Sequence, residues 1–414
     1  MKDLIMLLSS VLFGILFSFL LFVFSVFIIS RFFKRTYTNF EPKVSVIIPA
    51  YNEGKNIRDC LNSIYESRYP RNKVEVIVVD DGSTDDTLKV AKKYFGVKIL
   101  RQNHLGKVEA LNLGARNSSH HFLLTVDADT TLGRDCIREL LKPFSDKSIG
   151  ATTGNNNVRN KKSMISTFQN VEYHFSNLIR DSFSTVFKNG IWFSGSLACY
   201  SKSTLQKIGY FKKDTLAEDQ DVALEIKKAG FKTINTSKAI GYTIVPTKIK
   251  ELYHQRSRWW IGTLQSIFKN KELFSLKSSP SLLFLYINQF WWSFYAFLSL
   301  PLIMYQINYW LPYNLQNTYS FVSYLFKWFS LLGPIYVIYH IPDFGVSLYS
   351  IFGVLSGIMT TILSIAALRQ FKDSVSLKNM LAVFFYFPYT IVLNMIILIS
   401  LLKHRFWEKS FYIK

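Results

Sequence analysis

Carboxylates gather at four places in this 414-residue sequence: Glu53 in PAYNE, Asp80 and Asp81 in DDGSTDD, Asp127 and Asp129 in DADT, and Glu218 and Asp219 in AEDQD. A basic, aromatic stretch, HQRSRWWIG, follows at His254–Gly262. A carboxylate within hydrogen-bond reach of a hydroxyl can take its proton, typically worth ~10²–10⁴-fold in rate. A D-x-D pair at a strand end can hold an oxygen-preferring Mg2+ or Mn2+, with phosphates and water completing the shell. Guanidinium groups can then stabilise charge on a leaving phosphate. Each motif also has an ordinary use. One Asp in a strand-end loop is a helix cap, acidic residues favour a helix N-terminus, and a Trp pair beside arginines is a membrane-interface anchor. DADT is not a calcium loop, because position six is Leu132 rather than glycine and Glu139 falls one place late. The sequence contains neither a phosphate-cradling GxxxxGK[ST] nor a dinucleotide-binding GxGxxG.

The segments around these residues are patterned to bring them together. Val44–Ile48, Val74–Val79 and Phe122–Val126 are short apolar runs rich in β-branched residues, as in strands buried on both faces. Helix-period stripes lie between and after them: Ile57, Leu61, Ile64 and Tyr65; Leu88, Ala91 and Phe95 behind a capping box of Ser83 and Asp86; Val108, Leu111 and Ala115; and Ile137, Leu140, Leu141 and Phe144. Strand–helix alternation predicts an open, mostly parallel α/β sheet with its ligand beyond the carboxyl ends of the strands. All three strands run into acidic loops there. Packing does not ask for that, since adjacent carboxylates repel, and a divalent cation between them and a diphosphate would remove the repulsion.

Apolar stretches flank this domain. Leu4–Ile29 is uncharged and longer than the ~20 residues that cross a bilayer. It lacks a cleavage site and reads as a retained anchor. Four further candidate spans follow, at about 282–307, 320–341, 345–368 and 380–402. The expected organisation is an anchor over 1–35, a soluble domain over 36–247, an interfacial helix region over 248–280 and a membrane region over 281–414. Arg31, Lys34 and Arg35 put the soluble domain in the cytoplasm, at the plasma membrane, with the N-terminus outside. By alternation the loop Arg369–Lys378 then falls outside, against its own positive charge, unless one segment is interfacial and does not span. Asn288, Gln289, Trp291, Trp292 and Tyr295 are candidates to line a bundle interior, with ordinary helix packing as the alternative. The net charge of +21 carries no zinc-finger spacing, RNP motif or basic arm, so membrane lipids rather than nucleic acid are the expected partner. Cys60, Cys136 and Cys199 lack metal-ligand spacing and read as buried free thiols.

Taken in order, SVIIPAYNE, VVDDGSTDDT, GKVEALNLG, VDADT, SGS, AEDQD and QRSRW resemble the inverting family 2 glycosyltransferases. More narrowly, they resemble the membrane-integrated synthases of poly-N-acetylglucosamine, hyaluronan, chitin and cellulose. The resemblance implies a GT-A-type domain inserted between transmembrane helices, a UDP-sugar donor (UDP-GlcNAc favoured), and a glycan or lipid acceptor. It also implies Mg2+ or Mn2+, and it allows a small accessory membrane subunit. Carried over by motif, Tyr51, Glu53 and one or both of Asp80 and Asp81 would hold the uridine. Lys107 would lie near the phosphates or ribose, and Asp127 and Asp129 would be the D-x-D pair, with Asp129 the more direct metal ligand. Asp219 would be the general base beside Glu218, and Gln255, Arg258 and Trp259 would close over the diphosphate and acceptor. Trp260 lies outside that pattern and is expected to seat the helix in the membrane. The alternatives are a hyaluronan- or cellulose-type synthase using another UDP-sugar, transfer of a single sugar to a lipid, and an inactive scaffold or transport subunit.

Overall fold

The computed structural model describes residues 2–275, 277–310, 330–339, 341–344, 346–373 and 376–403. The three apolar runs form β1 (Val44–Ala50), β2 (Val74–Asp80) and β4 (Phe122–Val126). With β3 (Val97–Arg101), β5 (Thr131–Leu132), β6 (Ile149–Val158), β7 (Leu197–Ser201) and β8 (Lys232–Thr243) they make one sheet in the order β3-β2-β1-β4-β7-β6-β8-β5. The half around β1 is parallel, as the pattern predicts. The sheet as a whole is mixed, because β7 runs antiparallel to both β4 and β6, and β5 antiparallel to β8.

Alternate residues of the central strands feed two cores. Val46, Ile48, Val76, Val78 and Leu124 pack on α2 (Ile57–Tyr65) and α5 (Cys136–Leu141). Ile47, Ile77, Val79 and Leu123 pack instead with α4 (Lys107–Arg116), α7 (Lys202–Lys207) and α8 (Glu218–Lys228). Covering both faces explains why every residue of β1 is buried. The helix expected behind Ser83 is the short α3 (Thr87–Ala91), and Ser83 forms no capping box. Its hydroxyl accepts the Asn52 N–H, while the Asp85 carboxylate takes the Thr87 N–H, and Phe95 is exposed. The three cysteines are buried and unpaired.

Around this domain stand α1 (Lys2–Ser30), α6 (Met164–Phe187), α9 (Ile249–Lys269), α10 (Pro280–Trp310), α11 (Leu332–Tyr339), α12 (Ile341–Phe344), α13 (Leu348–Gln370), α14 (Leu377–Phe384) and α15 (Tyr386–Lys403). Among the described residues, three helices are long and apolar enough to span a membrane: Leu4–Ser30, Leu348–Gln370 and Tyr386–Lys403. The predicted span at 380–402 is broken at Phe385 into α14 and α15, and most of that at 320–341 lies outside the described residues. So does the basic tail beyond Lys403.

Helices α1 and α13 run side by side in the same direction. Phe13 meets Tyr349 near one end, and Arg31 donates to Gln370 at the other. The loop after α13 therefore lies on the domain side, not the far side that strict alternation predicts. Its Asp373 takes the Lys161 ammonium at 2.8 Å, the Asn170 amide at 2.6 Å and His174 Nε2 at 3.0 Å. Two of these partners sit on α6, and the single acidic residue in a basic loop anchors it there.

Candidate active site

Strands β2, β1 and β4 are parallel neighbours, so their acidic ends emerge along one edge. Asp80 closes β2 fully buried, accepting the Ser83 N–H at 3.1 Å with Arg101 Nε 3.4 Å from its other oxygen. Asp81 reaches across to the loop before α4. It accepts Gln102 Nε2 at 2.6 Å, the Leu105 N–H at 2.7 Å and the Gly106 N–H at 3.0 Å. Tyr51, after β1, is 43% exposed with its ring stacked on His104 at 4.0 Å.

The same loop delivers Lys107. Its Nζ stands 2.9 Å from Asp127 and 3.2 Å from Glu218, joining the D-x-D loop to the start of α8. Burial opposes the lysine's charge, but the two carboxylates hold it above the ordinary range. Glu218 and Asp219 are split by their surroundings. Burial pushes Glu218 up, yet Lys107 and then Arg258 outweigh it, and the net shift is downward. Asp219 is raised by burial and then by the Glu218 charge to about 6. Its two oxygens accept the Gly195 and Gln220 N–H groups, each at 2.8 Å. A Cβ on Gly195 would stand 2.7 Å from Asp219 Cβ, so only glycine lets the SGS turn approach this carboxylate. Two adjacent acids driven apart in this way suit separate acid–base duties. The SGS motif was legible in the sequence; its task, holding Asp219, was not.

Asp129 has the Thr130 and Thr243 hydroxyls at 3.1 and 3.4 Å. Burial, then Asp127 and Glu53, raise it to about 6. Burial also raises Glu53, against a hydrogen bond from Asn56. Among the described residues, no group of three or more His, Cys, Asp or Glu side chains is arranged to hold a metal. A D-x-D pair needs no such group when phosphate and water supply the remaining ligands. The repulsion among Glu53, Asp127 and Asp129 is what a divalent cation would relieve. The donor set therefore fits a cation shared with a diphosphate.

Helix α9 brings HQRSRWWIG to this edge. A Cβ on Gly262 would come within 2.5 Å of Ala217 N, so glycine allows α9 to lie directly on the residue before Glu218. Arg258 acts on Glu218 from here. Trp259 is 39% exposed, with the Arg256 guanidinium 4.4 Å over its ring. Gln255 accepts from Arg256, which also meets Glu172 at 2.9 Å. Arg256, unassigned by the motif reading, is thus the buried cation of the stretch.

Trp260 turns the other way. Its indole N–H donates to Ser293 at 3.0 Å, and its carbonyl accepts Gln289 Nε2 at 3.2 Å. It lines a cavity of about 890 Å³ inside the helical region, so it does more than seat the helix. Asn288, Trp292 and Tyr295 line the cavity as predicted. Gln289 is spent on Trp260, and Trp291 packs on Tyr295 at 5.8 Å. Glu172 and Trp260 stand at the domain end of the cavity; Ile5, Met6 and Tyr349 stand at the other. Ile5 to Val23 of α1 both border it, which spans roughly 27 Å at 1.5 Å per residue.

Residues 45–209 match the family described as Glycosyl transferase family 2. Among curated relatives, a poly-beta-1,6-N-acetyl-D-glucosamine synthase of Staphylococcus epidermidis is 29% identical over 231 residues. One of Staphylococcus aureus (strain COL) is 28% identical over 231 residues. Each match covers 53% of this chain and 54% of the relative, so the chain spans about half the length of the curated relatives it matches. A mannosyltransferase from Pyrobaculum calidifontis, solved with GDP-Man and Mn2+, is similar in fold with a TM-score of 0.60 at 20% identity. That likeness covers 96% of this chain and 98% of the other. The fold is a GT-A-like α/β domain with a curled mixed sheet between N- and C-terminal membrane-spanning helices.

Proposed function

On the premise that this chain carries a family 2 glycosyltransferase domain between membrane-spanning helices, distantly related to poly-N-acetylglucosamine synthases, we propose that it extends a β-linked glycan from a UDP-sugar. UDP-GlcNAc is the favoured donor, since the relatives are named for a polymer of N-acetyl-D-glucosamine. The observation that carries the reading is the Lys107 cluster, in which one ammonium joins the D-x-D loop to the Glu218–Asp219 pair.

In this mechanism Tyr51 and Asp81 hold the base, and Lys107 and Arg258 face the diphosphate. Asp219, held by the Gly195 N–H, takes the proton from the acceptor hydroxyl as that oxygen attacks the anomeric carbon. Displacement from an α-linked donor gives a β-glycoside. Glu218 stays ionised, and burial, then the Glu218 charge, keep Asp219 basic enough to act near neutral pH. Asp129, with Asp127, would hold Mg2+ or Mn2+, which when bound neutralises charge on the leaving diphosphate. Gln255 and Trp259 border the acceptor.

The cavity supports an acceptor that continues into the membrane region, because it begins at Trp260 and Glu172 beside α9. We place the domain in the cytoplasm, with the cavity leading outward. Its walls also favour a second reading, transfer of one sugar to a lipid. The α1 side is almost wholly apolar: Ile5, Leu12, Leu16, Leu20 and Val23, broken by Ser9. Incubating the purified protein in lipid bilayers with radiolabelled UDP-GlcNAc and Mn2+ separates the two. A ladder of products supports extension, and one sugar on a lipid supports the second reading. If neither product forms, while UDP-glucose, UDP-glucuronate and UDP-GalNAc also fail, both readings fall.

A further inference from the structure

We propose that His104 is an internal placeholder for the nucleobase, competing with the donor for Tyr51 and Asp81. The inference rests on the nucleotide reading of that corner given above.

The His104 imidazole lies on the Tyr51 ring at 4.0 Å with only 26° between planes. Its Nδ1 is 3.2 Å from Asp81 Oδ2 and 3.3 Å from the Asp81 carbonyl oxygen. Both neighbours are acceptors, so Nδ1 carries the proton and donates. The side chain thus makes two contacts at once: a flat face on a tyrosine, and a ring N–H on a buried carboxylate. A pyrimidine such as uracil offers the same pair, a planar ring and an N–H. Gln102, Leu105 and Gly106 already use the rest of the Asp81 carboxylate. The imidazole therefore takes the position that a base N–H would need.

The surroundings let it leave. The His104 side chain is 58% exposed and stands at the rim of the site. Its backbone is left-handed, at φ 39°, as is that of Asn52 beside Tyr51, at φ 54°. Non-glycine residues in that region are uncommon and concentrate where a site holds a special geometry. Three residues on, Lys107 meets Asp127, so one loop carries both the occupant of the base position and the ammonium facing the phosphates. Donor binding must first displace His104, and the apparent affinity is lowered by the fraction of molecules in which the position is filled.

The direction of the effect makes the test sharp. UDP binding, with Mn2+, is measured by calorimetry on the full chain in nanodiscs, for wild type, His104→Ala, His104→Asn and Tyr51→Ala. Removing a competing aromatic contact should make His104→Ala bind UDP roughly 2- to 10-fold tighter. His104→Asn keeps an N–H donor and tolerates the left-handed backbone, so it should fall between the two. Unchanged or weaker binding by His104→Ala overturns the placeholder. Tyr51→Ala should bind more weakly than wild type. If it binds equally well, or wild type binds no UDP, the nucleotide reading itself fails, and the placeholder with it.

Discussion

Replacing Asp219 by asparagine tests the central assignment most directly. Asparagine is nearly isosteric, and its amide oxygen can still accept the Gly195 N–H now 2.8 Å from the carboxylate. Shape is kept and basicity is lost, although the amide NH2 cannot accept the Gln220 N–H that the second carboxylate oxygen now takes; losing a positioned general base costs ~10²–10⁴-fold in turnover. The pH dependence sharpens the expectation. With Asp219 at about 6, roughly nine-tenths of the molecules hold an ionised base at pH 7 and about one-tenth at pH 5. Turnover per donor bound should therefore fall about tenfold between those values, with an acid limb centred near 6. Asp129 is raised to the same region, but saturating metal favours its charged form and moves its titration downward. The assay is UDP release from UDP-GlcNAc between pH 5 and 8 with saturating Mn2+. If Asp219→Asn kept more than about one-tenth of wild-type turnover, or left the acid limb in place, the proton would be going elsewhere.

Four further outcomes follow from the same geometry. Asp129 binds a proton more tightly folded (about 6) than its ordinary 3.8, so without metal its charge costs stability above pH 6, and the cost disappears below about pH 4. Asp129→Asn should therefore gain at most about 3 kcal/mol of stability in chelator at pH 7.5, read as a higher thermal midpoint, and give no such gain near pH 4; equal gains at both would sink the linkage. Gly195→Ala should push Asp219 aside and lower kcat on the order of 10²-fold while UDP affinity holds, since small misplacements at a reacting centre are that costly. Arg256→Met leaves Glu172 without its cation and should destabilise by on the order of 3 kcal/mol, with Glu172→Gln restoring much of it in calorimetry. Trp260→Ala, which enlarges the cavity but leaves the Lys107 cluster intact, should alter product length more than UDP affinity; unchanged products would detach the cavity from the acceptor.

The parts of this site that could be read in the sequence are those written in local spacing. Strands that end in carboxylates, an Asp-x-Asp and an acidic pair opening a helix are short patterns with direct geometric meaning, and β2, β1 and β4 do lie together. What could not be read depends on distant residues. The antiparallel insertion of β7 between β4 and β6 carries Ser194–Ser196 to Asp219, and nothing near Gly195 announces that destination. The bridge that Lys107 makes between Asp127 and Glu218 was not legible, because it depends on how α4 and α8 lie together on one face of the sheet. Ser83 shows the reverse error: its capping spacing was real, but Asn52 offered a competing donor. At the loop after α13 the alternation of spans misled: its basic residues argued for the domain side, where Asp373 meets Lys161, Asn170 and His174.

Composition draws a boundary between a soluble domain and a membrane region, but packing crosses it. Leu178 and Phe183 of α6, inside the mixed-polarity stretch, share one apolar cluster with Leu12, Val23 and Phe27 of α1, Leu282 and Leu285 of α10, and Leu363 of α13. The same helix supplies Glu172 to Arg256 and to the Tyr389 hydroxyl of α15. Helix α9 is shared in the same way. Successive residues of a helix point about 100° apart, and the two tryptophans part accordingly: Trp259 packs with Arg256 and Tyr173, whereas Trp260 borders the cavity. Gly262 is pressed on Ala217, so α9 braces the start of α8 directly. Cutting the chain after Lys269 would expose Ile261, Leu264 and Ile267, each now at most 2% exposed, and would remove the support that sets this geometry.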